Sequence, residues 1–209
     1  RGREATAAPR ITAVLPGGDV AGALEELDDR IRRAGGSATL APMDVTEAPA
    51  MQQLAQAVLT RWGGLDLWAH PAIHAAPLAP APHVDGKDWA KSVLVNMDVT
   101  RGLIALLEPL LRARSGTALF FDDPRAGHKF FGAYGATKAG QIALARSWQH
   151  EAATVGPRVV IAEPAPMPTA VRARFFPGED RAALTAESEE LLQLAASQEN
   201  VLVGIEAEL

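Results

Sequence analysis

The chain has 209 residues, 48% of them hydrophobic and 22% charged, with a formal net charge of -5. That is the mixture of a soluble globular domain with a sizeable core, and an acidic balance without a basic run speaks against nucleic acid or an anionic membrane as a partner. No cysteine is present, which removes disulfides, iron–sulfur clusters, Cys-bound zinc and thiol catalysis.

The elements alternate between short apolar runs and longer helical ones. The chain opens on Arg1 with a polar stretch; it carries no signal-peptide pattern, and a cytoplasmic setting is expected. No apolar run approaches the roughly 20 residues that span a bilayer. Residues 11–15 form a strand candidate broken by Pro16-Gly17-Gly18-Asp19. Residues 23–33 read as a helix, with Leu24, Leu27 and Ile31 at helical spacing and Gly35-Gly36 as its stop. A strand follows at 38–43. Thr46 is a plausible N-cap for a helix through Trp62, whose apolar stripe is Leu54, Val58 and Leu59 and whose stop is Gly63-Gly64. Residues 65–69 form a buried strand and 71–82 a Pro/Ala-rich loop. Asp85 or Gly86 opens a long helix through Leu111. A strand at 117–121, a loop at 122–129 and a helix from about Gly132 to Ala153 come next. A strand at 159–162, a proline-rich turn at 164–168, a helix at 186–196 and a final strand at 201–203 complete the pattern. Such alternation implies one α/β domain over 1–209, with a doubly wound, mostly parallel sheet and helices on both faces.

The chemistry concentrates in Gly132-Ala133-Tyr134-Gly135-Ala136-Thr137-Lys138-Ala139-Gly140. Tyr134 and Lys138 stand four apart on a helix and share a face. A phenol ionises near pH 10, and a neighbouring ammonium favours the phenolate. Such a pair can exchange a proton with a carbinol oxygen.

Here the sequence resembles the short-chain dehydrogenase/reductase family along nearly its whole length. The Tyr/Lys pair follows an apolar strand and a short loop, as the family's catalytic pair does. Met43-Asp44-Val45-Thr46 resembles the family's D-V-T segment, Leu65-Asp66-Leu67-Trp68 the strand before its N-N-A-G turn, and Val95-Asn96-Met97 its V-N segment. Pro164-Ala165-Pro166 with Thr169 resembles the P-G-x-x-x-T stretch at the nicotinamide end, and Phe176-Pro177-Gly178-Glu179-Asp180 a substrate-loop segment. The resemblance implies a Rossmann-like fold and NAD or NADP as cofactor. It also implies Tyr134 as general acid/base, Lys138 lowering its pKa and holding the ribose, and Asn96 supporting a proton relay. Asp44 would contact the adenine, and Pro164 and Thr169 the nicotinamide end. The family's two long helices form a subunit interface, so a homo- or hetero-oligomer is implied, with Trp148 as one interface anchor and small residues Ala139, Gly140 and Ala143 permitting close packing.

The pattern also departs from the family. The first strand and its T-G-x-x-x-G-x-G loop have no counterpart at the start of the chain, where Gly2-Arg3-Glu4-Ala5 reads like the tail of a first helix; the first strand is expected to be missing. At the end of the 11–15 strand neither an acidic nor a basic ribose determinant stands, Asp19 being the nearest, so NAD and NADP remain alternatives. The N-N-A-G turn is His70-Pro71-Ala72-Ile73, and Pro71 has no N–H to donate. His70 reads as a satisfied turn histidine. Where the family has a serine, this chain has Asp122-Asp123, on a loop shortened by about two residues; they read as a solvated loop pair. His128 and Lys129 read as surface loop, and Trp89 and Trp148 as packing residues. Arg172 and Arg174 flank the substrate entrance, where an anionic group could bind. No histidine stands at metal-ligand spacing with carboxylates, so no metal is expected. Two functions follow: an NAD(P)-dependent oxidoreductase acting on a small carbonyl or secondary alcohol, or a catalytically inactive subunit that partners an active homologue.

Overall fold

The structure, a computed structural model, describes residues 10–15, 29, 32, 33, 37–184 and 200–204. The helix expected at 186–196, the residues before Arg10 and the segment 16–19 lie outside the described residues. So does most of the helix expected at 23–33, of which Asp29, Arg32 and Arg33 are helical.

Six strands form one parallel sheet: β1 (Arg10–Leu15), β2 (Ser37–Pro42), β3 (Leu67–His70), β4 (Thr117–Phe121), β5 (Arg158–Ala162) and β6 (Asn200–Gly204). Their spatial order is β2-β1-β6-β3-β4-β5. The chain therefore runs outward to one edge with β1 and β2, and outward to the other with β3, β4 and β5. The last strand fills the place between. Val201 is in register with both Ile11 and Leu67, and Val203 with both Ala13 and Ala69. The doubly wound parallel sheet expected from sequence is present. No strand before β1 is among the described residues, and β6 stands between β1 and β3.

All four residues of β3 are buried, as expected of a parallel strand covered on both faces. On one face, Trp68, Phe120 and Trp148 pack as an aromatic cluster, with centroids 5.4 Å apart for Trp68–Phe120 and 6.3 Å for Phe120–Trp148. The same core takes in α1 (Ala48–Trp62) through Met51, Ala55 and Val58. Leu54 is only partly buried and Leu59 is 42% exposed, so the buried stripe of α1 is shifted by about one position from the expected Leu54, Val58 and Leu59. Glu47, not Thr46, precedes the first helical turn; Thr46 instead donates its N–H and hydroxyl to Asp44 Oδ1, at 2.8 and 2.7 Å. Gly63 ends the helix at φ 72°, the left-handed conformation that glycine adopts without a Cβ clash.

The long helix expected from residue 85 or 86 is interrupted. It comprises α2 (Gly86–Val93), a π-helical turn (Leu94–Val99) and α3 (Thr100–Ala113). The widened turn carries Asn96, and such bulges recur where a helix must re-aim a polar side chain. Asp85 caps α2 by accepting from Lys87 N and Asp88 N. Two further helices, α4 (Gly132–Ala152) and α5 (Ala170–Phe175), flank the carboxyl ends of β4 and β5. Trp148 is buried in the core at 5% exposure and Trp89 is exposed at 45%. The packing reading therefore holds for Trp148, which lies inside the subunit rather than at an interface, and fails for Trp89, which is exposed.

Candidate active site

The carboxyl ends of parallel strands lie on one edge of the sheet, where chain order reverses and open α/β sheets bind ligands. His70 ends β3, Phe121 ends β4 and Ala162 ends β5. The residues predicted from sequence follow these ends or lie on the helices beside them, except Asp44, which follows β2.

Tyr134 and Lys138 occupy the first two turns of α4 and are each 5% exposed. The Tyr134 ring is walled by Phe131, at 6.1 Å between centroids, and Phe175 of α5, at 5.0 Å. Its hydroxyl donates to Asp123 Oδ2 at 2.9 Å. Asp123 is thus not a solvated loop residue. It is 8% exposed, and Arg125 grips it with three donors: N at 3.0 Å and Nε at 2.9 Å to Oδ1, and Nη2 at 3.2 Å to Oδ2. Burial works against the charge, but the Arg125 side chain, the Arg125 backbone and Tyr134 together hold the Asp123 carboxyl below its ordinary value. Asp122, half-buried, pairs with Arg146 at 3.0 Å.

The short loop that brings Asp123 to Tyr134 leaves no room above α4. A Cβ on Gly135 would lie 1.8 Å from the Ala126 carbonyl oxygen. Glycine at 135 is what lets the loop rest on the helix backbone beside the tyrosine.

Lys138 Nζ donates to Gln141 Oε1 at 2.7 Å. Gln141 Nε2 donates to Thr100 Oγ1 at 3.0 Å, and Thr100 Oγ1 donates to the Asn96 carbonyl at 2.9 Å. The Thr100 hydroxyl has one hydrogen and has spent it, so the His70 Nε2 that lies 2.9 Å away must be the protonated nitrogen. Burial, and then the Lys138 charge, push the His70 pKa down to about 3. His70 is a neutral, satisfied donor at the strand end, as expected.

Asn96 clamps two elements. Its Oδ1 accepts from His74 N at 2.6 Å, and its Nδ2 donates to the His74 carbonyl at 3.1 Å and to Thr137 Oγ1 at 2.8 Å. Both amide hydrogens are committed, so Asn96 ties the loop after β3 to α4. The His74 ring is buried with Nε2 unpartnered and Asp88 Oδ1 3.9 Å away. Burial first, then Lys91 and Arg174, lower its pKa against the opposing pull of Asp88.

Asp44 follows β2, exposed and bonded to Thr46. Pro164 follows β5, and Thr169 caps α5 by accepting from Arg172 N at 3.2 Å. Arg172 is engaged by Glu179, and both it and Arg125 lie over the Phe176 ring, at 5.1 and 5.2 Å. Arg174 is exposed, as are His128 and Lys129. Asp123 was misread from sequence, and Arg125, Thr137, Gln141 and Phe175 were missed. Gln141 carried a local signal, standing one helical turn after Lys138; Arg125 carried none, since its role depends on how the loop folds back.

A parallel doubly wound sheet with Tyr and Lys one turn apart beside the fourth strand in chain order, backed by an Asn on the preceding long helix, defines a nucleotide-dependent dehydrogenase class. The sequence profile of the short chain dehydrogenases matches residues 11–180, and the chain belongs to that family. No curated protein matches it by sequence. Among solved structures it is similar to a short chain dehydrogenase from Salmonella enterica serovar Typhi, at 19% identity and TM-score 0.79, covering 97% of each chain. It is similar to one from Escherichia coli CFT073 complexed with NADPH, at 22% identity and TM-score 0.75, over 94% of this chain and 96% of that one. It is also similar to an NADH-dependent reductase of alginate metabolism, at 17% identity and TM-score 0.70, over 95% and 96%. At these identities the likeness is one of fold.

The donor set suits a nicotinamide nucleotide: an ammonium for ribose hydroxyls, a carboxylate after β2 for an adenine amine, and a threonine hydroxyl at the head of α5 for a carboxamide. Residues following Gly204, where the central strand ends, lie outside the described residues.

Proposed function

We propose that the chain is an NAD(P)-dependent oxidoreductase that moves a hydride between a nicotinamide and a polarised carbon of a small molecule, carbonyl and secondary alcohol being the expectation from its family. The observation that carries the reading is the buried Tyr134 hydroxyl, hydrogen-bonded at the carboxyl end of β4 and one turn before the buried Lys138. The nicotinamide would supply the hydride. Lys138 would hold the ribose, Asp44 the adenine, and Pro164 with Thr169 the carboxamide end. Tyr134, its hydroxyl hydrogen donated to Asp123, would be the general acid/base, Phe131 and Phe175 wall its ring, and Asn96 keeps the loop after β3 in place. Relatives of this fold bound to NADPH and dependent on NADH both support a nicotinamide without choosing between the two forms.

One observation favours a second reading, the inactive partner subunit. A carboxylate stands where the family's serine donates, and an ionised carboxylate only accepts; beside a phenol it opposes the phenolate. The exposed Trp89, Leu94 and Met97 on α2 and the π-turn, with Met97 packed against the bare backbone of Gly140, suit association through the two long helices in either reading.

Titration with NADH and NADPH, followed by reduced-nicotinamide fluorescence, tests the proposal. Saturable micromolar binding of either is expected, and carbonyl or alcohol turnover that disappears in Tyr134→Phe. Absence of binding at millimolar cofactor would overturn it in favour of the partner subunit, and carbonyl or alcohol turnover surviving in Tyr134→Phe would remove Tyr134 from its role.

A further inference from the structure

We propose that Asp123 selects a protonated C=N group, an iminium, as the hydride acceptor of this site in preference to a carbonyl. The inference rests on the nicotinamide-dependent reading above and narrows the heteroatom of its substrate.

The position beside the Tyr134 hydroxyl is where a reacting heteroatom must lie to exchange a hydrogen bond with it, about 3 Å away. In this chain that position faces Asp123 Oδ2. Arg125 commits two of its three donors to the other oxygen, Oδ1, and only Nη2 reaches Oδ2, at 3.2 Å. Oδ2 is thus the carboxylate oxygen turned to the reacting centre, and it already takes the Tyr134 hydrogen.

Reduction of a carbonyl builds negative charge on oxygen, and sites that catalyse it aim donors at that oxygen. Asp123 aims an acceptor there. A ketone oxygen would meet a carboxylate lone pair and a tyrosine hydrogen already engaged elsewhere. An iminium reverses each term. Its N–H donates to Oδ2, and its positive charge lies beside an anion. Phe131 and Phe175, the aromatic surroundings of Tyr134, are compatible with a cation, which an aromatic face attracts.

The electron count removes the need for a proton from tyrosine. The iminium carbon gains a hydride, forming a C–H bond, and the C=N π bond breaks, its pair becoming the nitrogen lone pair. A bound reduced nicotinamide would supply the hydride and, oxidised by its loss, would carry the positive charge that the substrate gives up. No proton crosses in this step, so the Tyr134 hydrogen can stay on Asp123 throughout. Arg125, Arg172 and Lys138 are cations near this region. Arg125 is bound to Asp123, Arg172 is engaged by Glu179, and Lys138 donates its ammonium to Gln141.

The test compares a cyclic imine, methylpyrroline, with its ketone counterpart, cyclopentanone, at a pH where the imine is largely protonated, and measures binding of protonated pyrrolidine by calorimetry without cofactor. The expected wild-type preference in kcat/KM for the imine is at least about tenfold. In Asp123→Asn, which keeps the shape and an acceptor for Tyr134, that preference should fall about a hundredfold, the scale on which a single preorganised polar group acts on a reacting centre. Pyrrolidinium binding should weaken at least about tenfold, and Asp123→Ser should raise ketone turnover. Both variants are checked for nicotinamide binding. A wild type that binds nicotinamide and prefers the ketone, or an Asp123→Asn variant that keeps both the imine preference and the pyrrolidinium affinity, overturns this inference alone. Absence of nicotinamide binding in the wild type overturns the reading beneath it.

Discussion

Gly135→Ala should destabilise the fold and loosen the active site together. Alanine in the interior of a helix gains about 1 kcal/mol over glycine, so by helix propensity alone the substitution should stabilise α4. The new methyl, however, would sit 1.8 Å from the Ala126 carbonyl oxygen and 2.7 Å from its carbon. A carbon–oxygen contact settles at about 3.3 Å, so the 122–131 loop must retreat by about 1.5 Å, about three times the roughly 0.5 Å window within which a hydrogen-bond distance falls. That motion is transmitted to Asp123, which bonds to both Arg125 and Tyr134. Overpacking of this kind costs about 1–3 kcal/mol, and a lost charge-assisted hydrogen bond about 1.5–3 kcal/mol more. Net of the propensity gain, the loss is about 1.5–5 kcal/mol, or roughly 3–20 °C in Tm for a domain of this size. Gly102→Ala is the control. It lies on the exposed face of α3 with nothing within 4 Å of its Cβ, and should gain up to about 1 kcal/mol. Thermal unfolding of the two variants, with near-ultraviolet circular dichroism for the Tyr134 environment, gives the answer. If Gly135→Ala melts at or above the wild-type temperature with an unchanged tyrosine signal, the close approach of loop and helix is refuted.

Three further predictions concern the buried network. His70 has a folded pKa of about 3 against 6.5 unfolded, so the unfolded state binds the extra proton between those values. Stability from this residue is complete above pH 6.5 and falls by about 1.4 kcal/mol per pH unit on acidification toward 3; His70→Gln should flatten that slope in urea titrations at several pH values, and the His70 imidazole signal should not titrate by NMR between pH 8 and 5. Asp123 has a depressed folded pKa, so its stabilisation is present above the unfolded carboxylate value and lost as pH falls through the folded one; Asp123→Asn should cost about 2 kcal/mol at pH 7 and almost nothing at the acid end of the same titrations. Asn96→Leu leaves the His74 N–H, the His74 carbonyl and Thr137 without their partner, and should cost about 3 kcal/mol or more by chemical denaturation.

The sequence made the elements legible because apolar periodicity acts locally. Expected boundaries for β4 and α4 fall within a residue of those observed, and the Tyr/Lys spacing needs nothing beyond one helix. What escaped was set by long-range placement. The slot of β6 between β1 and β3 leaves no trace in Asn200–Gly204 itself, since the short apolar run Val201-Leu202-Val203 fits any interior position of a parallel sheet. Trp89 and Trp148 both sit on helices with helical spacing, and only the packing of α4 over β4 decides that one is in the core and the other at the surface. Asp123 was misjudged for a related reason. A loop carboxylate is usually solvated, and nothing in Asp122-Asp123 says which one a shortened loop will press against the tyrosine; the clue was the glycine at 135, which reads as neutral until Ala126 is known to lie over it.

The path of the 122–131 loop links fold and chemistry. Resting on Gly135, it delivers a carboxylate to the Tyr134 hydroxyl and holds it there with Arg125. The ion pair is not a stability device in the first instance, because burying it takes two charges out of water and returns much of the Coulombic gain. Its consequence is positional: it keeps an anion 2.9 Å from the tyrosine hydroxyl at a site whose relatives stabilise developing negative charge. Electrostatics of that sign can serve a cationic reacting group, or it can silence the tyrosine. Those outcomes differ in a way that a carboxamide at position 123 separates: neutralising the anion removes activity toward a cation in the first case, and releases activity toward a carbonyl in the second.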